Sequence, residues 1–299
     1  MMNDDKTRPD LHRSSLIVHR SSLSLPRERE LHFSRVPLVM GILNVTPDSF
    51  SDAGVHFDHP AALHGAMQMI EDGAHIIDIG GESTRPGSEA VSIDAELERV
   101  IPVIREIRRR SDIPISIDTR KARVAEGALD AGADMINDVS ALRHDPDMRV
   151  VAARRGVPVI LMHMRGEPRT MQQDIHYDEV VGDVARELIA WRDDAIAAGI
   201  DREQILVDPG IGFGKTFDHN VEILNRCDEL APIAPLLIGA SRKAFIGHLT
   251  GHPTPSKRVA GSLAAVAAAY RGGAAIVRVH DVRETLDFLK VQHAIEARE

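Results

Sequence analysis

The chain has 299 residues, 43% hydrophobic and 27% charged, which is enough to build one large core and too apolar for a disordered chain. A formal net charge of -9 argues against wrapping a nucleic-acid backbone, which needs clustered Lys and Arg. The single cysteine, Cys227, cannot form an internal disulfide, and no apolar run is long enough to span a bilayer. These features point to a reducing, cytoplasmic compartment and to small molecules as partners, with no nucleic acid and no membrane.

Residues 1–35 are rich in Ser, Arg and His and carry a short duplication, His12-Arg-Ser-Ser-Leu16 and His19-Arg-Ser-Ser-Leu23. No apolar segment with a small-residue cleavage site marks a secretory signal, and Asp4, Asp5 and Asp10 weaken an organelle-targeting reading. This segment is expected to be a disordered or loosely attached N-terminal extension.

From Val36 onward, short apolar runs alternate with longer amphipathic segments. The runs are Pro37–Leu43, His75–Ile79, Pro114–Ile117, Met135–Ile136 with its flanks, Pro158–Met162, Gln204–Val207, Pro235–Ile238 and Ala274–Val279. They are rich in Val and Ile without period-two polarity, as parallel strands buried on both faces are. Between them, Pro60–Asp72, Ile93–Arg109, Lys121–Ala131, Tyr177–Ala198, His219–Leu230 and Lys257–Arg271 carry apolar residues three and four apart, the helical spacing. Gly73-Ala74, Gly132-Ala133, Gly156-Val157 and Gly273-Ala274 place a glycine where a helix needs a left-handed cap before the next strand. Eight βα units over roughly 250 residues predict a single-domain α/β fold, a (β/α)8 TIM barrel over residues 36–299. A doubly wound open sheet is the structural alternative, but no G-x-G-x-x-G turn follows the first strand.

A polar residue follows the C-terminal end of nearly every run: Asn44, Glu82 to Arg85, Asp118, Asn137, His163, Asp208, Ser241 to Lys243, and Arg278 with His280. In a barrel these ends converge on one mouth, where active sites are built. Any one of them could be an ordinary cap or turn former, and Asp118-Thr119 is an example. A set of them in phase around the barrel reads as a functional mouth, because so many buried polar groups are costly without partners.

Two other features are decoys. Gly210-Ile-Gly-Phe-Gly-Lys215-Thr216 resembles a phosphate loop, but the first glycine of a Walker A motif would fall at Pro209. The pairs His56/His59 and His248/His252 lie in segments broken by Pro or Gly and lack Cys or Glu partners, so they read as surface histidines. Cys227 reads as a packing residue on a helix.

Eight motifs, in order and spacing, resemble the dihydropteroate synthase family. They are Gly41-Ile-Leu-Asn-Val-Thr-Pro-Asp-Ser-Phe-Ser-Asp52, Asp78-Ile-Gly-Gly-Glu-Ser-Thr-Arg-Pro-Gly87, Ile117-Asp-Thr119, Ile136-Asn-Asp-Val139, Leu161-Met-His-Met164, Asp208-Pro-Gly-Ile-Gly-Phe-Gly-Lys215, Ser241-Arg-Lys243 and Arg278-Val-His-Asp281. The resemblance runs from about Pro37 to the last helix. It implies a transferase of folate biosynthesis that joins 6-hydroxymethyl-7,8-dihydropterin pyrophosphate to p-aminobenzoate, giving 7,8-dihydropteroate and pyrophosphate.

By that resemblance the pterin is bound by Asp118, Asn137, Met162, Asp208, Gly239 and Lys243. Asp208 would accept two adjacent N–H groups of the pterin, and Asn137 can both donate and accept. The pyrophosphate site falls to Asn44, Thr84, Arg278 and His280, where Arg offers a planar donor fork. Mg²⁺ is implied as cofactor, with Asn44 as its protein contact and water in most other positions. Asp118, Lys243, Arg278 and His280 are the implied catalytic residues, Asp118 stabilising positive charge on the pterin as pyrophosphate departs. Phe50, Thr84, Arg85, Pro86, Phe213, Ser241 and Lys243 are implied to frame the p-aminobenzoate pocket, closed over by loops Thr46–Gly54 and Ser83–Ser88. Sulfonamides are implied as competitors of p-aminobenzoate, and a homodimer through the late barrel helices as the assembly.

Two positions depart from the family pattern. Ala244 stands where a serine is common, removing a hydroxyl from the p-aminobenzoate end and leaving the backbone N–H groups of the following helix to meet a carboxylate. Arg165 stands where Gln is common. Two rival readings are a methyltetrahydrofolate-type methyltransferase barrel, which has no use for the anion site, and a catalytically silent pterin-binding paralogue, which would be expected to lack Asp118, Lys243 or Arg278.

Overall fold

A computed structural model of the chain describes residues 22–46, 59–84 and 87–297. Two short strands, β1 (Ser22–Leu25) and β2 (Arg29–His32), pair antiparallel. Eight strands then alternate with helices: β3 (Leu38–Asn44), β4 (Ile76–Gly80), β5 (Ile115–Asp118), β6 (Met135–Asp138), β7 (Val159–Met162), β8 (Ile205–Asp208), β9 (Leu237–Ile238) and β10 (Ile276–Val279). All neighbours pair in parallel in the order β8-β7-β6-β5-β4-β3-β10-β9, and a bridge between Val207 and Leu236 closes the ring. The expected (β/α)8 barrel is therefore the fold. Each strand lies within one or two residues of its apolar run, because a strand buried on both faces has no polar interruption to disguise it.

The helices are α1 (His59–Glu71), α2 (Ile93–Arg108), α3 (Ala122–Ala131), α4 (Asp147–Arg155), α5 (Val180–Ala197), α6 (Phe217–Asn225), α7 (Ala244–Thr250), α8 (Val259–Arg271) and α9 (Val282–Glu296). They bury apolar faces against the outward residues of the strands, such as Ile77, Ile79, Ile115 and Ile117 on one side of the barrel and Val207, Ile238 and Val277 on the other. The four expected cap glycines all adopt positive φ, from 58° at Gly156 to 117° at Gly132. Helix α6 starts before its expected His219, because the Thr216 hydroxyl accepts from the His219 N–H at 3.1 Å and caps it. Helices α4, α7 and α9, of nine, seven and fifteen residues, are not among the helical stretches named from the sequence.

The segment 1–35, expected as a loosely attached extension, contributes a hairpin that packs on the barrel. Leu23, Leu25 and Leu31 of the hairpin are buried in one cluster with Met40, Ile76, Met135, Ile160, Leu206, Leu237 and Ile276, the inward residues at the base of the barrel. Alternation along two short strands puts these leucines on one face, and that face stoppers the barrel. From the hairpin turn and the start of β2, Arg27 and Arg29 both reach Asp134, a fully buried carboxylate just before β6. Arg108 donates to Asp134 Oδ2 at 2.7 Å, and the Ile115 backbone N–H donates to the same oxygen at 2.8 Å. Residues 1–21 lie outside the described residues.

Candidate active site

Strand period fixes which side chains enter the mouth. Residues two apart share a face, so the inward phase of Ile76, Met135, Ile160, Leu206, Leu237 and Ile276 carries up to Asp78, Asn137, Met162, Asp208, Gly239 and Arg278. The same phase on β3 runs from Met40 to Asn44. The barrel interior is thus apolar at its base and polar at its C-terminal end.

One cavity in this mouth is lined by Thr84, Asp118, Asn137, Met162, Asp208, Phe213, Gly239, Lys243 and Arg278, together with Val139, Gly210 and Ile211. Nine residues expected from the sequence therefore meet around a single cavity. Ser241 and His280 sit beside one another, with His280 Nδ1 3.1 Å from Ser241 Oγ and the His280 backbone N–H donating to the same oxygen at 3.2 Å. Asn44 ends β3 opposite Gly80 and does not line that cavity. Phe50, Arg85 and Pro86 lie outside the described residues, as do His56 and most of the Thr46–Gly54 loop.

The electrostatics are dominated by one cation among carboxylates. Arg278 donates from Nε to Asp78 Oδ2 at 2.6 Å and from Nη2 to Asp118 Oδ2 at 2.7 Å. Asn137 Nδ2 also donates to Asp78 Oδ2, at 3.2 Å. Asp78 is completely buried, and its Oδ1 has no hydrogen-bond partner among the described residues. Burial pushes the Asp118 carboxyl up to about 7, with Arg278 pulling it back down and Asp78 pushing it further up. Burial likewise raises Asp208 to about 6, opposed by the Gly210 N–H, which donates to Asp208 Oδ1 at 2.7 Å, and by Lys243 and Arg278. Burial and the charges of Arg242 and Arg278 lower His280 to about 3, so it stands as a neutral imidazole.

Local backbone geometry supports these placements. Gly210 has φ 68°, and a Cβ there would fall 1.9 Å from the His163 carbonyl oxygen, so only glycine lets the chain turn back onto Asp208. Arg242 also adopts positive φ, 58°, between Ser241 and Lys243. It is held there by its side chain, which donates to Asp281 Oδ2 at 3.0 Å, and by its N–H, which donates to Ser262 Oγ at 2.9 Å. Lys243 then points across the mouth, its Nζ 4.1 Å from the centre of the Phe213 ring. Arg165, whose contacts the sequence left open, donates from Nε to Glu187 at 2.9 Å and stacks on Tyr177 with its guanidinium 4.1 Å from the ring centre.

Asp78 is the functional residue that the sequence reading passed over, although its motif was in view. The available signal was an acidic residue inside an otherwise apolar run, a position that demands a partner.

A family model described as "Pterin binding enzyme" matches residues 40–280. A dihydropteroate synthase from Synechocystis sp. is 51% identical over 258 residues, covering 86% of this chain and 89% of that protein. Among solved structures, the Xanthomonas albilineans dihydropteroate synthase with 4-aminobenzoic acid is 48% identical with a TM-score of 0.85, covering 90% of this chain and 96% of that one. The Yersinia pestis dihydropteroate synthase in a sulfonamide drug complex is 45% identical with a TM-score of 0.87, covering 93% and 100%. The chain belongs to the pterin-binding enzyme family. Within that family its activity is that of a dihydropteroate synthase, a transferase.

Proposed function

We propose that the mouth divides its labour between a pterin pocket built on strand ends and an anion site beside it, and that a pterin pyrophosphate and p-aminobenzoate meet between them. The observation that carries this is the convergence of Asp118, Asn137, Asp208, Lys243 and Arg278 on one cavity. Asp208, ionised above about pH 6, accepts the two adjacent N–H groups of the 2-amino-4-oxo pterin edge. Asn137, already donating to Asp78, presents its amide oxygen to the ring. Lys243 donates to the carbonyl oxygen and ring nitrogen while its stem covers the p-aminobenzoate ring.

Arg278 joins the two halves. In the free enzyme it neutralises Asp78 and Asp118. A bound diphosphate competes for the same guanidinium, and charge-assisted bonds to phosphate oxygens favour that exchange. Asp118 then faces the pterin, and the positive charge growing at the exocyclic carbon as the carbon–oxygen bond to pyrophosphate breaks takes over from Arg278 in keeping the carboxylate ionised, while the carboxylate stabilises that charge in turn. The p-aminobenzoate nitrogen forms the new bond and loses a proton. Neutral His280, braced by Ser241, supplies a further N–H to the leaving group.

Asn44 fits Mg²⁺ through the chemistry of a single amide oxygen, since Mg²⁺ keeps several waters and is bound chiefly through substrate phosphates. Among the described residues no group of three His, Cys, Asp or Glu could hold a metal by itself. When bound with the diphosphate, the ion neutralises charge on the leaving group.

Thr84, Phe213, Ser241 and Lys243, with Phe50, Arg85 and Pro86, are proposed to frame the p-aminobenzoate pocket, where sulfonamides would compete. A homodimer would cover exposed apolar side chains of the late helices, among them Phe217, Val221 and Leu249. No helix among the described residues is long and apolar enough to cross a membrane, and a cytoplasmic location agrees with the single cysteine. The test is a coupled pyrophosphate-release assay: release should require both p-aminobenzoate and Mg²⁺ and yield dihydropteroate. Release without p-aminobenzoate, or no dihydropteroate, would defeat the proposal.

A further inference from the structure

Lys215 follows the glycine-rich turn after β8 and is only 2% exposed, among the largest side chains the fold buries completely. That turn carries Gly210, Gly212 and Gly214 at positive φ, 68°, 84° and 60°. It turns three successive carbonyls toward side-chain donors, two from neighbouring segments and one from Lys215 itself. Gly212 accepts from Gln172 Nε2 at 3.1 Å, Phe213 from Lys215 Nζ at 3.0 Å, and Gly214 from the Tyr177 hydroxyl at 3.0 Å.

Lys215 Nζ has two further partners at the end of β7, His163 Nδ1 at 3.0 Å and the His163 carbonyl at 3.3 Å. Three acceptors match the three donors of an ammonium group; burial lowers Lys215 to about 7, and Asp208 and Glu187 favour the ammonium form against it. On the other side of the imidazole, His163 Nε2 lies 3.1 Å from Glu187 Oε2. An ionised carboxylate only accepts, so Nε2 carries the proton and Nδ1 offers its lone pair to Lys215. Burial, with the nearby Lys215 charge, lowers His163 to about 3, which keeps the ring neutral. Arg165 also binds Glu187 and holds it at this station. Donor and acceptor roles are thus settled from Glu187 through His163 and Lys215 to the Phe213 carbonyl.

The other side of the turn faces the mouth. The Phe213 ring lies under Lys243 Nζ, and a Cβ on Gly212 would fall 3.1 Å from Lys243 Cδ, so the Lys243 stem rests on this turn. By contrast Asp118, Asn137 and Asp208 belong to strands and owe their positions to the barrel.

We propose that Lys215 is a positioning residue for the second substrate: by clamping the Phe213 carbonyl to His163, in the tautomer that Glu187 selects, it sets the height of the Phe213 ring and the reach of Lys243 over the p-aminobenzoate pocket. This rests on the reading of Phe213 and Lys243 as walls of that pocket. A lysine of no functional consequence would be a costly way to brace a turn, because its desolvation must be offset in full. Misplacement of a substrate-positioning group is expressed in kinetics more than in folding.

The test compares Lys215→Met, which keeps the stem and removes the three donors, with Phe213→Ala. Both are assayed for KM of p-aminobenzoate, for kcat, and for calorimetric Kd of a bare pterin. The expected result for Lys215→Met is a rise of about tenfold in KM for p-aminobenzoate with a smaller loss, of about threefold, in pterin Kd, because Lys243 also touches the pterin while Asp208 and Asn137 on their strands hold it. Equal losses on both ligands, or no change in either, overturn the positioning role. If Phe213→Ala leaves the p-aminobenzoate KM unaltered, the pocket reading beneath it fails. If Phe213→Ala raises it and Lys215→Met does not, the pocket stands and the positioning role falls. A measurement on the unaltered protein is available should Lys215→Met not fold: ¹⁵N resonances of the His163 ring should show the neutral Nε2–H tautomer from about pH 6 to about pH 9. An Nδ1–H tautomer or an imidazolium in that range removes the acceptor and overturns the proposal.

Discussion

The two ends of the barrel each bury a carboxylate, and they treat it in opposite ways. At the base, Asp134 is fully enclosed and receives Arg27, Arg29, Arg108 and a backbone N–H. At the mouth, Asp78 is equally buried but shares a single arginine with Asp118 and leaves one oxygen without a partner among the described residues. Asp208 has one backbone donor on one oxygen and is raised by burial to about 6. The base uses its carboxylate to hold a hairpin against the barrel, whereas the mouth gives its carboxylates fewer donors, and in the proposed function the ligand completes Asp208. Under-satisfaction costs stability, which is the usual trade at a functional site.

The largest expected effect that would break this contrast is at Asp208. Asp208→Asn should lower kcat/KM for the pterin substrate by about a thousandfold, since two charge-assisted hydrogen bonds are weakened and one becomes a donor–donor clash. Steady-state kinetics check it, and a loss below about tenfold would remove Asp208 from the pterin edge. Next comes the base, where Asp134→Ala should cost about 3 kcal/mol of unfolding free energy by denaturant titration. Its kcat per folded molecule should stay at the wild-type level, and a selective loss of activity would show that the two ends are coupled.

Arg278→Ala sharpens the division within the mouth. Calorimetry should show binding of the pterin diphosphate weakened by about 30-fold and binding of a bare pterin by much less. Equal losses would deny Arg278 its anion role. A smaller effect is expected from pH. With Asp118 raised to about 7 and Asp208 to about 6, kcat/KM for the pterin substrate should fall as pH drops through that range, because a protonated Asp118 cannot stabilise positive charge and a protonated Asp208 cannot accept both N–H groups. A profile flat down to about pH 4 would mean that Asp208 keeps its ordinary carboxylate range in the free enzyme.

The strands and the mouth were legible in the sequence for the same reason: in a parallel barrel the buried runs are uninterrupted and the residues at their C-terminal ends must converge. That rule covers Asp118, Asn137, Asp208, Lys243 and Arg278, which line the cavity, but His163 at the end of β7 turns away toward Lys215 and Glu187, and Asn44 does not line the cavity. Asp78 escaped because it stands two residues before the end of its strand, within the run instead of after it. The hairpin escaped because three leucines alternating among Ser, Arg and Glu make a weak signal outside a larger sheet. Helix α4 carries Arg149, Arg154 and Arg155 in nine residues and shows little apolar face. The Gly210–Lys215 segment resembled a phosphate loop in composition only. Its lysine turns into the protein, toward His163, which spacing alone does not reveal.

The contrast between the two ends is tested most directly by the stability of the ligand-free protein as a function of pH, for wild type and Asp208→Asn. A carboxyl whose folded value, about 6, lies above its ordinary value of 3.8 adds stability in full below the ordinary value and loses it as pH rises through the folded one. From pH ~4 to pH ~8 the wild type should therefore lose about 2 kcal/mol that Asp208→Asn does not lose, so the variant should be the more stable protein at the upper end. If Asp208→Asn is instead less stable than wild type throughout that range, Asp208 is a structural carboxylate like Asp134, and the mouth is not built under-satisfied for its ligand.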